Sequence, residues 1–161
     1  MAALALFAGL RRVEISRLDC EDVTAGKVTV VRGKGEKRRD VFIPAPAQDA
    51  LAAWLAVRGG RSGPLFWRGL RGGGVVEGRL SVWGVWRGLA DACTRAGIEN
   101  VTPHDFRRTF ASTLLDVGVD LAEVSKRMGH ADPRTTAKYD RRGDAAGKAA
   151  ADRLAERWGK K

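Results

Sequence analysis

The stretch from Thr102 to Tyr139 constrains the fold most, because it carries its own helix boundaries. Thr102-Pro103-His104-Asp105 opens a helix. Thr stands at the N-cap, Pro takes the first helical position where its missing N–H costs nothing, and an acid follows in the first turn. Phe106, Phe110, Leu114 and Val117 then recur at helical spacing and form one apolar stripe, which Gly118 ends. Asp120-x-x-Glu123 opens a second helix that closes at Gly129. Asp132-Pro133 opens a third, short helix running to about Tyr139.

The earlier chain alternates in period. Residues 2–8 are apolar helix formers interrupted by Gly9, and residues 12–18 resume a helix with Val13, Ile15 and Leu18 as inward candidates. Residues 27–32 (KVTVVR) and 40–43 (DVFI) read as a β-hairpin around a basic tip, GKGEKRR. Pro44 and Pro46 end it, and residues 47–58 read as a helix with Leu51, Trp54 and Leu55 on one face. Residues 58–79 hold repeated glycines among Arg58, Arg61, Arg68, Arg71 and Arg79, and read as a mobile basic loop. Ser81 caps a helix to about Ala96, buried through Val82, Val85, Trp86, Leu89 and Cys93, and an Ala-rich terminal helix occupies the tail, 143–161. The expectation is an α+β domain over residues 1–161, mainly helical with a small antiparallel β-sheet or hairpin.

Charge narrows the partner. Lys and Arg number 29 against 19 Asp and Glu, a formal net charge of +10. That balance favours a polyanion, nucleic acid before an anionic membrane, over a small neutral metabolite. No run of 18 apolar residues is present, so no membrane-spanning helix is expected. Cys20 and Cys93 are far apart and outside any C-x-x-C, which argues against a zinc site or a disulfide framework. The only histidines are His104 and His130, and the only tyrosine is Tyr139.

Three patterns carry chemistry. Gly9-Leu10-Arg11-x-x-Glu14 sets an Arg at a helix break with an acid one turn on; alone, it reads first as a surface ion pair. The hairpin tip, Gly33-Lys34-Gly35-Glu36-Lys37-Arg38-Arg39, reads equally as an ordinary charged turn or as a phosphate-facing basic tip. The third pattern is the most specific: His104-x-x-Arg107 on one helical face, then Gly129-His130, then Tyr139. Paired arginines, imidazoles, a lysine and a phenol suit phosphoryl transfer without a metal. The arginines clamp the nonbridging oxygens, the phenol attacks phosphorus, and the lysine protonates the leaving oxygen. Gly-x-Ser-x-Gly, His-Glu-x-x-His and the Walker A spacing are all missing from the sequence, and Asp19, Glu21 and Asp22 read as a solvated turn.

In this order the residues resemble the catalytic domain of tyrosine recombinases, the phage-integrase family of site-specific recombinases, over roughly residues 2–142. The resemblance implies that fold, and a DNA integration and recombination enzyme acting through a 3′-phosphotyrosine intermediate. Arg11 and Arg107 would clamp the scissile phosphate. Lys34 would be the general acid, His104 and His130 would assist proton transfer, Tyr139 would be the nucleophile, and Glu14 would support them. Arg32, Lys37, Arg38 and Arg39 would contact DNA. No metal or other cofactor is implied. The partner would be double-stranded DNA, with no membrane. The chain would be a monomer when free and a tetramer on DNA through the tail after Tyr139, in the cytoplasm at the nucleoid. Only ten residues precede Arg11, so the family's separate N-terminal core-binding domain is expected to be absent. Two other readings stay open: type IB topoisomerase-like relaxation, and a non-catalytic DNA-binding remnant.

Overall fold

The computed structural model describes residues 1–32, 37–70, 74–130, 132, 134–140 and 142–158. Helices α1 (Ala2–Phe7) and α2 (Arg12–Arg17) lead through a 3-10 turn (Cys20–Asp22) into strands β1 (Val23–Thr24), β2 (Lys27–Arg32) and β3 (Lys37–Phe42). Helix α3 (Ala45–Arg58) follows, then strands β4 (Trp67–Gly69) and β5 (Val75–Arg79), and helix α4 (Val82–Arg95). The chain ends with α5 (Pro103–Asp116), α6 (Leu121–Met128), α7 (Arg134–Ala137) and α8 (Gly143–Trp158). Strands β1–β2–β3 form an antiparallel sheet and β4–β5 a separate two-stranded ribbon. The lysine at the hairpin tip, Lys34, and the rest of 33–36 lie outside the described residues.

Period two decides what the larger sheet presents to the core. Val28 pairs with Val41 and Val30 with Arg39. Val28, Val30 and Val41 are buried, whereas Arg38, Asp40 and Phe42 on the alternate positions of β3 face solvent. The inner face packs with Leu4, Leu10, Ile15, Leu51, Leu65, Phe66, Val85 and Leu89 into the larger core. A second cluster (Phe110, Ala111, Leu115, Val124 and Met128) holds α5 against α6, with Tyr139 packed on its edge. The two clusters meet where α1 crosses α5 and where α6 touches β3.

The caps form as the sequence predicts. Ser81 Oγ accepts from Gly84 N, and Asp120 Oδ1 accepts from the N–H groups of Ala122 and Glu123. Thr102 donates its N–H and its hydroxyl to Asp105 Oδ2, which holds that carboxyl below its ordinary range. Gly129 closes α6 in the left-handed conformation at φ +63°.

Several expectations change. Residues 58–79 are not a mobile loop throughout: β4 and β5 pair there, and Leu65, Phe66 and Trp67 are buried. Arg58 is buried rather than solvated. It donates to the carbonyls of Gly59, Arg61, Ser62 and Pro64 and stacks 4.4 Å from the Trp67 ring, so one side chain gathers the glycine-rich turn. In α2 it is Glu14, not Val13, that turns inward beside Ile15, because guanidinium groups wait there to receive it. Val117 and Trp86 are exposed rather than inward.

Gly9 is the tightest junction between the clusters. Its φ is +58°, and a Cβ there would lie 2.8 Å from Phe110 Cε1. Gly9→Ala is therefore expected to lower the stability of the chain by about 2 kcal/mol or more, from left-handed strain plus overpacking, read as a fall in the urea midpoint. An unchanged midpoint would contradict this packing.

Candidate active site

The buried carboxylate of Glu14 is the point on which the site is built. Its Oε1 accepts from Arg11 Nη1 at 3.0 Å and from Arg39 Nη1 at 3.0 Å. Its Oε2 accepts from the Arg11 backbone N–H at 2.8 Å and from Arg39 Nη2 at 2.9 Å, with Arg107 Nη1 at 3.9 Å. Glu14 thus caps its own helix and pairs with three guanidinium groups at once. Side-chain exposure falls from 30% at Arg11 to 13% at Arg39 and 4% at Arg107, so Arg11 is the arginine nearest to solvent.

Arg107 projects inward from α5. Its Nη1 donates to Gly9 O, and its Nη2 donates to Met128 O at 3.1 Å and to His130 Nε2 at 3.2 Å. An arginine only donates, so His130 Nε2 accepts, and Nδ1–H donates to Thr136 Oγ1 at 2.8 Å. The left-handed Gly129 turns His130 toward this contact. The Tyr139 ring lies 6.3 Å from the His130 ring, centroid to centroid. The segment after Tyr139 is tied back to α5: Arg142 forks onto Asp140 at 2.7 and 2.9 Å and donates to Leu115 O. Those hydrogen bonds hold the Asp140 carboxyl down at about 2.

Opposed causes set the protonation of the cluster. Burial pushes the Glu14 carboxyl up, but hydrogen bonds and charge from Arg39 and Arg11 outweigh it and hold it below 4.5. Burial, then repulsion from Arg11, lowers Arg107 to about 10, with Glu14 opposing; it remains a cation at neutral pH. Three guanidinium groups around one carboxylate leave an excess of positive charge, which suits an oxyanion bound beside a phenol and an imidazole.

The structure brings together Arg11 and Glu14 at the start of α2, Arg107 on α5, His130 just after α6 and Tyr139 just after α7. His104 is exposed at the start of α5, one turn before Arg107. Arg38 faces solvent on the outer face of β3, and Arg32 and Lys37 form the last pair of the hairpin ladder. Arg39 departs from its reading as a DNA-facing tip residue: the strand's alternation puts it on the face of Val41, and its guanidinium is spent on Glu14 and on Arg127 O. Sequence reasoning also missed Thr136, whose hydroxyl meets His130 Nδ1 at 2.8 Å. Period two would have found Arg39. Thr136 has no comparable local signal. Among the described residues no group of three His, Cys, Asp or Glu is placed to hold a metal ion.

Comparison with known proteins identifies the family. Residues 1–145 match the model of the phage integrase family. Tyrosine recombinase XerC of Chromohalobacter salexigens is 40% identical over 146 residues, covering 87% of this chain and 47% of that protein. The crystal structure of XerA recombinase superposes with a TM-score of 0.74 at 28% identity, over 94% of this chain and 54% of that one. XerH site-specific recombinase, solved on its difH substrate in a pre-cleavage complex, shares the fold with a TM-score of 0.68 at 23% identity, over 93% of this chain and 44% of that one. The chain spans about half the length of these relatives.

The ionised Glu14 stabilises the fold fully above its ordinary value of 4.5, and that contribution is lost as pH falls through its lower folded-state value. Urea unfolding across pH 6 to about 3 is expected to show this loss in the wild type and a shallower dependence in Glu14→Gln. Parallel profiles would contradict the role given to Glu14.

Proposed function

Because the chain belongs to the phage integrase family, we propose that it is the catalytic part of a site-specific tyrosine recombinase, cleaving and rejoining double-stranded DNA through a covalent 3′-phosphotyrosyl link. The observation that carries this reading is the convergence of Arg11, Arg107 and His130 beside Tyr139 around one carboxylate, from positions as far apart as Arg11 and Gly129. The net charge of +10 and the solution of XerH, a protein of the same fold, on its DNA substrate support DNA as the partner.

The chemistry follows from the residue types. Arg11 and Arg107 hold the nonbridging oxygens of the scissile phosphate and stabilise the charge of the pentavalent transition state. The Tyr139 oxygen attacks phosphorus and loses its proton as the P–O bond to the 5′ side breaks. His130 and His104 assist the proton transfer, and Lys34 protonates the departing 5′-oxygen. A 5′-hydroxyl from the partner strand then attacks the phosphotyrosine, and the phenol leaves with a proton restored. The bond energy is held in the covalent link, so the reading requires neither a metal nor a nucleotide cofactor. Residues 1–161 act as one catalytic domain, monomeric when free and tetrameric on DNA, with the tail helix α8 bridging to a neighbouring copy.

A labelled duplex pool with a 5′-bridging phosphorothiolate tests this directly, because a thiolate leaves without protonation and cannot religate. The wild type is expected to form a denaturant-stable protein–DNA adduct and Tyr139→Phe none. Arg11→Ala is expected to react about 10²-fold more slowly or worse, as when one transition-state donor is removed. Lys34→Ala is expected to be slow on the ordinary phosphodiester and near wild type on the phosphorothiolate. An adduct persisting in Tyr139→Phe, or none in the wild type at saturating duplex, would overturn the reading. The second result leaves a DNA-binding remnant.

A further inference from the structure

We propose that Arg39 is a positioning residue for this reaction, holding Glu14 and the end of α6 so that Arg11 and His130 face one phosphate; the proposal rests on the function proposed above. Arg39 lies on β3 opposite Val30 and next on its face to buried Val41, where an apolar side chain would complete the sheet's inner surface. A guanidinium there is largely removed from water, and three of its N–H groups find acceptors. Both terminal nitrogens fork onto the two oxygens of Glu14, and Nε donates to Arg127 O at 2.9 Å in the last turn of α6.

One side chain on β3 therefore joins two elements that each lead to a site residue. Through Glu14 it reaches α2, where the same carboxylate holds both the backbone N–H and the guanidinium of Arg11. Through Arg127 O it reaches the turn that presents His130. The fit at that turn is close: a Cβ on Gly129 would lie 2.9 Å from Arg39 Nη1. Arg11 Nη2 meets the Gly129 carbonyl at 3.4 Å from the other side. The bidentate fork fixes the rotation of the Glu14 carboxylate, and that rotation fixes where the Arg11 guanidinium points. A lysine keeps the charge but has no fork, so it cannot set this rotation.

The test compares Arg39→Lys with wild type on the phosphorothiolate duplex, measuring duplex affinity and the rate of adduct formation at saturation separately. Arg39→Lys is expected to keep its cooperative thermal transition and to bind duplex within about 3-fold of wild type. Its saturated rate is expected to fall on the order of 10²-fold, the scale of an ångström's misplacement at a reacting centre. Arg39→Lys added to Arg11→Ala is expected to cost less than the two separate losses multiplied, because part of the effect runs through Arg11. If Arg39→Lys melts early, Arg39→Met replaces it, since a flexible apolar side chain suits the face of Val28 and Val41. An unchanged saturated rate, a loss confined to affinity, or fully multiplicative losses with Arg11→Ala would overturn the proposal while the function stands. A silent wild type overturns both.

Discussion

One carboxylate among three arginines is the constraint from which the rest of the site follows. Glu14 is 7% exposed and meets Arg11, Arg39 and Arg107. Burying any one of those guanidinium groups alone would be costly, and burying a carboxylate alone equally so. Together they are stable, and breaking such a buried pair from one side typically costs about 3–5 kcal/mol. The arrangement also leaves the cluster short of negative charge. The fold is assembled around a site whose excess of positive charge suits an anion.

The packing explains why the cluster is held so firmly. Two apolar cores, one on the sheet and one between α5 and α6, meet along a polar seam rather than merging. The seam is closed by backbone carbonyls at element ends: Gly9 before α2, and Arg127, Met128 and Gly129 at the end of α6. Helix ends leave carbonyls without intrahelical partners, and arginine side chains satisfy them here. Structural need and the proposed chemistry thus fall on the same side chains. Arg11, the most exposed of the three, is the one best placed to move onto a ligand.

Much of this was legible in the sequence, for identifiable reasons. The helices from Thr102 to Tyr139 announce their own ends through Thr102, Asp120, Gly118 and Gly129, and they form with those caps. The hairpin followed from β-branched alternation, although β3 starts earlier than its apolar residues suggested. The β4–β5 ribbon was not legible, because its glycines and arginines carry a loop composition and its order comes from tertiary contacts: Arg58 on four carbonyls, and Trp54 Nε1 on Leu65 O. In the candidate site, the ordered motifs singled out Arg11, Arg107, His130 and Tyr139, which the fold brings near one another. Sequence spacing could not show that Glu14 serves three arginines, since two of those contacts span β3 and α5. Arg39 was assigned to DNA because its neighbours are basic, while the pleat had already turned it inward.

The most direct measurement is a crystal structure of the chain with a nicked duplex and orthovanadate, whose five-coordinate geometry mimics the transition state. The account predicts vanadium bonded to the Tyr139 phenolic oxygen, with its equatorial oxygens within hydrogen-bond distance of Arg11 and Arg107 and with Glu14 still gripped by Arg39. Vanadate bound away from this seam, or Tyr139 turned from it while DNA is in place, would contradict it.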